Sequence, residues 1–370
     1  MNKIRVLIVD DSALMRQILE QILSSDPAIE VIGTACDPFV ARDKIKRLEP
    51  DVLTLDVEMP RMDGLTFLEK LMQARPMPVL MVSSLTEKSC ETTIRALELG
   101  AVDIVTKPKI DIASGVVQLG EQIIEKVKIA ANARVKRVVP RPISGASSAA
   151  SSSPNRAMLK TTDRVICIGA STGGTEAILE MLTTFPPDAP GTVITLHMPP
   201  GFTNSFARRL DGLCQVRVSE ARNGDRILPG HVLIAPGGYH MGVTRAGALY
   251  SVNVGDGEPV NRHKPSVDIL FRTCAKYLGG NAIGIILTGM GNDGAAGLLA
   301  MKQAGAYTIA QDEATCVVYG MPNEAVKLGA VNESLPIQEI TARALTVALS
   351  PTPVIVNSPR TSVLPANSIH

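Results

Sequence analysis

In the first third of the chain, apolar residues cluster in short closed runs separated by segments with helical spacing. The first run, 4–9, is closed by Asp10 and Asp11, and similar runs recur at 29–34, 52–55, 79–82 and 103–105. Helical patterns fall between them, at about 13–24, 37–48, 64–74 and 91–99, with a last helix from about 116 toward 134. Short apolar runs alternating with amphipathic helices mark a parallel sheet covered on both faces. The pattern predicts a five-stranded, doubly wound, flavodoxin-like α/β unit of about 120 residues, with its ligand site at the carboxyl ends of the strands.

The same alternation returns after residue 163. Strands are expected at 165–168, 193–196, 232–235, 283–287 and 307–310, and helices near 175–182, 266–277, 295–304 and 338–349. A hairpin is expected around 241–252, turning at Ala246-Gly247. This is a second doubly wound α/β unit. Between the two units, 126–162 contains no Asp or Glu and carries Lys126, Lys128, Arg134, Lys136, Arg137, Arg141, Arg156 and Lys160. Its middle is rich in Ser, Ala and Pro, as in a flexible linker. The expected division is 1–122, a linker over 123–162, a second domain over 163–350 and a loose tail over 351–370. The linker's charge fits either a solvated tether or a segment that docks on an acidic surface.

Polar residues sit where the first sheet should end. Asp10 and Asp11 close strand one, Asp56 strand three, Ser83 strand four, and Lys107 follows strand five. Three carboxylates at one edge repel each other unless a hard divalent cation, Mg²⁺ foremost, lies among them. A lysine and a hydroxyl beside them suit a phosphoryl group.

In the second unit the run 165–168 leads into Gly169-Ala170-Ser171-Thr172-Gly173-Gly174 and then a helix. Gly169-x-Ser171-x-Gly173 has the spacing of a nucleophile elbow, in which small neighbours let a serine stand above a sheet. A plain glycine turn has the same look. A dinucleotide fingerprint would want an acid at the end of the next strand, but His197 stands there. A serine needs a base, and the base needs a carboxylate to fix its tautomer. The imidazoles are His197, His231, His240, His263 and His370. His197 is favoured because it closes the strand after the one presenting Ser171. His231 and His240 follow glycine turns and read as loop residues, and His263 lies in the basic segment Arg262-His263-Lys264; any of the three could touch substrate, with a surface role favoured for each. Asp293, in the glycine-rich loop 288–294, is the candidate orienting acid, although an aspartate before a helix is often only its cap. Thr172 and Met290 are the candidate oxyanion donors through their backbone N–H groups.

Composition narrows the alternatives. The net charge of +1, 3% aromatic residues and absence of Trp leave little for stacking on bases or gripping phosphates, so no nucleic-acid partner is expected. The six cysteines form no C-x-x-C pair, which suggests reduced thiols in a cytoplasmic protein. No apolar run approaches membrane-spanning length, so no membrane insertion is expected. The N-terminus lacks the layout of a signal peptide.

The first unit resembles the receiver domain of two-component response regulators, through Asp10-Asp11, Asp56-x-x-Met59-Pro60-x-x-Asp63-Gly64, Ser83 and Lys107-Pro108. The resemblance implies that Asp56 accepts a phosphoryl group from a histidine kinase. Asp10, Asp11 and Asp56 would hold Mg²⁺, while Ser83 and Lys107 would contact the phosphoryl group. Receivers often carry an aromatic switch residue three positions before the lysine, and here Ile104 takes that place.

The second unit resembles the chemotaxis methylesterases of the CheB family. The matching segments are 169–174, His197-Met-Pro-Pro-Gly-Phe202, Ala235-Pro-Gly-Gly-Tyr-His240, His263-Lys-Pro-Ser-Val-Asp268, 288–294 and Tyr319-Gly-Met-Pro322. That resemblance implies a Ser171, His197, Asp293 triad that needs no cofactor for the ester chemistry. It also implies glutamyl methyl esters and glutamines on the cytoplasmic helices of chemoreceptors as substrates, with a CheA-type kinase as phosphodonor. The competing readings are a receiver with a pure binding module, a serine hydrolase for small esters, and a DNA-binding output.

Overall fold

The computed structural model describes residues 3–59, 62–107, 113–135 and 164–350. The first unit runs β1 (Ile4–Val9), α1 (Ala13–Ser24), β2 (Ile29–Ala35), α2 (Pro38–Leu48), β3 (Val52–Asp56), α3 (Gly64–Ala74), β4 (Val79–Ser83), α4 (Glu87–Glu98), β5 (Asp103–Thr106) and α5 (Ala113–Ala131). Its strands form one sheet in the order β2-β1-β3-β4-β5, with every pairing parallel. All five expected strands are present. Helix α4 starts four residues earlier than its apolar spacing suggests, because Thr86 caps it by accepting from Ser89 N. Positions 123–131 of the expected linker continue α5. The Ser- and Pro-rich stretch and the expected tail lie outside the described residues.

The second unit runs β6 (Val165–Ala170), α6 (Gly174–Leu182), β7 (Thr192–Leu196), α7 (Phe202–Asp211), β8 (Arg217–Glu220), β9 (His231–Ile234), β10 (His240–Ala246), β11 (Leu249–Gly255), α8 (Val267–Tyr277), β12 (Ala282–Ile286), α9 (Ala295–Gln303), β13 (Tyr307–Gln311), α10 (Met321–Lys327), β14 (Glu333–Leu335) and α11 (Ile337–Leu349). Seven of its strands form a parallel sheet in the order β14-β13-β12-β6-β7-β9-β8. Strands β10 and β11 form a separate hairpin that turns one residue later than expected, between Ala246 and Leu249.

The pattern missed β8, β14, α7 and α10. The two strands are short edge strands with little burial, so they carry no apolar run. Helix α7 buries Phe202, Phe206 and Leu210 at a four-residue spacing, but sits directly behind a Pro-Pro-Gly turn. Helix α10 is seven residues long.

Strand β6 begins the second sheet and lies at its centre, between β7 and β12. Chain order therefore reverses there, and such a reversal opens a crevice beyond the carboxyl ends of the central strands. Close approach above the crevice requires glycine. A Cβ on Gly169 would lie 2.2 Å from Val267 Cγ1, and one on Gly289 would lie 2.4 Å from Met321 Sδ and 2.7 Å from Ser171 Cβ.

Candidate functional site

The crevice collects the second unit's candidates. Ser171 follows β6, His197 follows β7 and Asp293 lies in the loop after β12. Backbone bonds tie the three strand ends together: His197 N donates to Ala170 O (3.2 Å) and Ser171 N to Thr288 O (3.0 Å).

His197 and Asp293 meet through Nε2 and Oδ2 at 2.8 Å, with both side chains buried. The ring is reversed relative to the chymotrypsin arrangement, in which the acid holds Nδ1. Here Nδ1 is left buried and without a hydrogen bond. The Ser171 hydroxyl makes no hydrogen bond among the described residues, so the structure does not join it to the imidazole. It rises from the neighbouring strand end, partly exposed.

Asp293 is not a helix cap in the ordinary sense. The N-cap position of α9 is Gly294. The Asp293 carboxylate instead accepts from the start of α8: Val267 N (2.7 Å), Asp268 N (3.2 Å) and Ser266 Oγ (2.8 Å). In exchange, Asp268 Oδ1 accepts from Gly294 N (3.1 Å) and Gly297 N (2.7 Å) on the α9 side. Each helix start thus holds the other's carboxylate, which suits the positive end of a helix dipole. Burial alone would raise the Asp293 pKa, but bonds from His197, Asn261 and Ser266 outweigh it and hold the carboxyl below the usual range. These bonds favour its ionised form.

His263 was expected at the surface and is not there. Its ring stacks on His197, with centroids 3.6 Å apart and planes 10° from parallel. Burial, then repulsion from His197, pushes its pKa down to about 3. The His263 ring is therefore neutral at neutral pH and covers one face of His197. His240 is also buried, between Ser266 N and Glu258 O, and has a packing role. His231 opens β9, and His370 lies outside the described residues. The only signal for His263 in the sequence was its place in the family-matching segment 263–268; its stacking on His197 depends on the turn closed between Val260 and His263.

Neither Thr172 nor Met290 donates its backbone N–H to another described residue, so both remain available to an oxyanion. The Thr172 hydroxyl donates to Asp103 Oδ2, in β5 of the first unit, at 2.5 Å. Lys126 of α5 holds the other Asp103 oxygen at 2.7 Å. Around this contact lie ion pairs Arg208–Glu87, Arg209–Glu98 and Arg134–Glu313 between the two units. The α4–β5–α5 side of the first unit thus faces the candidate catalytic edge.

The first unit's candidates also converge. Asp10, Asp11 and Asp56 offer oxygens within 4.8 Å of one another. Lys107 Nζ lies 2.7 Å from Asp56 and 3.1 Å from Asp10. Burial is the largest influence on Asp56 and raises its pKa to about 6, against the pull of Lys107. Lys107 meets the buried Oδ2 atoms of both Asp10 and Asp56, which have no other partner among the described residues. One ammonium against three carboxylates leaves the cluster short of positive charge, and hard oxygen donors in that state fit a divalent cation. Ser83 is fully buried; its hydroxyl donates to Ser84 O (3.2 Å) and accepts from Thr93 Oγ1 (2.9 Å). Ile104 is buried in the core.

The flavodoxin-like unit with its acid–lysine pocket, joined to a parallel sheet bearing a serine, a histidine and an aspartate at its switch point, defines a response regulator with an enzyme-like output domain. Residues 6–114 match the response regulator receiver domain and residues 166–344 the CheB methylesterase domain. A protein-glutamate methylesterase/protein-glutamine glutaminase of Pectobacterium atrosepticum is 57% identical over 345 residues, 93% of this chain and 97% of its own. One from Salmonella typhimurium is 58% identical over the same shares. The Thermotoga maritima CheB methylesterase catalytic domain is 35% identical, spanning 50% of this chain and 98% of its own, with a TM-score of 0.49. The chain belongs to the CheB family of protein-glutamate methylesterases/protein-glutamine glutaminases.

Proposed function

We propose that Ser171, His197 and Asp293 carry out the methylesterase and glutaminase chemistry of this family, and that phosphorylation of Asp56 controls them. The observation that carries the reading is the 2.8 Å bond from His197 Nε2 to Asp293, because it leaves Nδ1 as the atom able to take a proton. Ser171 Oγ attacks the side-chain carbonyl carbon of a glutamyl methyl ester and gives its proton to His197 Nδ1. The tetrahedral oxyanion lies against the N–H groups of Thr172 and Met290. Collapse expels methanol, which leaves with the proton held by His197. Water then attacks the acyl-serine with the same base, releasing glutamate and restoring Ser171. A glutamine follows the same course and releases ammonia. Ester and amide share the oxyanion that the site is built to hold.

Asp10, Asp11 and Asp56 would hold Mg²⁺, which when bound offsets the charge of the arriving phosphoryl group. Lys107 pairs with that group, and the Ser83 hydroxyl donates to it. The partners are a CheA-type histidine kinase and the cytoplasmic helices of chemoreceptors. No described helix is long and apolar enough to cross a membrane, and a cytoplasmic protein is the reading that suits these partners. The domain division at 1–122, 123–162 and 163–350 belongs to the same proposal, with the receiver extended through the end of α5 at Ala131.

The test is methanol release from methylated receptor membranes, with and without a small phosphodonor. Ser171→Ala should abolish release while the protein stays folded. Asp56→Asn should keep basal release and lose the stimulation. Turnover surviving in Ser171→Ala would overturn the nucleophile, and stimulation surviving in Asp56→Asn would overturn the switch.

A further inference from the structure

Residues 260–263 form a tight turn closed in both directions: His263 N donates to Val260 O (2.9 Å) and Val260 N to His263 O (3.1 Å). Both central residues have positive φ, 51° at Asn261 and 68° at Arg262, as in a type I′ turn. Asparagine is at home in that region; arginine is not, and holding it there costs free energy. The turn is therefore maintained by contacts at its two ends.

Those contacts are the catalytic pair. At one end the Asn261 amide nitrogen donates to Asp293 Oδ1 (2.8 Å) and to Asp268 Oδ2 (3.1 Å). It bridges the two buried carboxylates that the starts of α8 and α9 exchange. At the other end His263 stacks on the base. Asp293 Oδ2 already serves His197 and Val267 N. On Oδ1, the Asn261 amide joins Ser266 Oγ (2.8 Å) and Asp268 N (3.2 Å) in holding the rotation of the carboxylate, and so the direction from which Oδ2 meets the imidazole.

We infer that Asn261 is a positioning residue for the reaction, its amide clamping Asp293 while its left-handed backbone sets His263 over His197. It touches neither substrate nor Ser171, and acts through the acid and the base. The inference rests on the triad reading above. Chemically, the role needs a neutral donor: a carboxylate at 261 would add a third negative charge beside Asp268 and Asp293, and would favour the imidazolium form of His197.

The experiment compares Asn261→Asp and Asn261→Gly in the full chain, activated by phosphodonor, with Ser171→Ala alongside. Asn261→Asp keeps the shape and the tolerance for positive φ but replaces the donor with an acid. Its kcat should fall about tenfold or more with KM within about twofold. The acid limb of its kcat/KM profile should move up by about one pH unit. Asn261→Gly keeps the backbone and deletes the amide, and its kcat should fall about three- to tenfold with no upward move of the acid limb. Equal losses in both variants with an unchanged acid limb would mean a merely structural turn and overturn the proposal. So would an Asn261→Asp protein within twofold of wild type. If Asn261→Asp does not fold, Asn261→Gly decides: wild-type kcat refutes the clamp. Turnover in Ser171→Ala refutes the triad reading itself, whereas an inactive Ser171→Ala beside a fully active Asn261→Asp refutes only the role of Asn261.

Discussion

His197 shows how much of a site depends on single atoms. One nitrogen is committed to Asp293, the other is bare and buried, and a second imidazole lies flat on the ring. That second ring has a cost that depends on pH. His263 is pushed down to about 3 from its ordinary 6.5, so below about pH 6.5 the unfolded chain takes up a proton that the folded chain refuses. The unfolded state then binds more protons, and stability must fall as pH drops from 6.5 toward 3. His263→Phe keeps a flat ring in the stack and removes the titration. Denaturant unfolding from pH 7 to pH 4 should show a shallower loss of stability in that variant than in the wild type. An equally steep loss would place the acid sensitivity elsewhere.

At the scale of elements, the site depends on loops lying closer together than side chains permit. The turn after β12 passes close to the loop that carries Ser171, and Gly289 is where they touch. An added methyl there meets Met321 at the start of α10 and Ser171 itself. Gly289→Ala should therefore cost about 1–3 kcal/mol in chemical denaturation, as overpacking does. It should also lower kcat about tenfold or more by shifting the serine. Full activity in a destabilised variant would mean that α10 gives way and Ser171 does not move. The exchange of carboxylates between α8 and α9 belongs to the same scale: neither helix start is capped by a side chain of its own N-cap residue, and each takes the other's carboxylate instead.

Across the whole molecule, the receiver covers the esterase edge through a face stitched by exposed ion pairs and one buried thiol. Cys90, in α4, is buried near the start of α7, and a Cβ on Gly201 would lie 3.8 Å from its sulfur. Opening of this contact should expose it. In a Cys36→Ser background, which removes the exposed thiol, phosphodonor should speed Cys90 labelling, and Asp56→Asn should abolish the effect. Labelling that ignores phosphodonor would mean that the α4–α7 contact stays shut during activation. Exposed pairs such as Arg208–Glu87 are screened by salt, so basal labelling should rise with ionic strength.

The sequence determined the first sheet and the five inner strands of the second, the strand ends that carry the acids, Lys107, Ser171 and His197, and the acid at 293. These follow from apolar runs closed by polar residues, a pattern local to each segment. It did not determine which nitrogen of His197 meets Asp293, that Asp293 serves α8, that His263 covers the base, or that Asn261 and Asp103 reach the site. Each of these depends on a rotamer or a turn fixed by residues distant in the chain, and short polar segments have no periodicity from which such contacts can be read. The strand ends are set by burial along the chain; the contacts between them are set only when β12, β6 and β7 are brought side by side and Asp103 of β5 reaches Thr172.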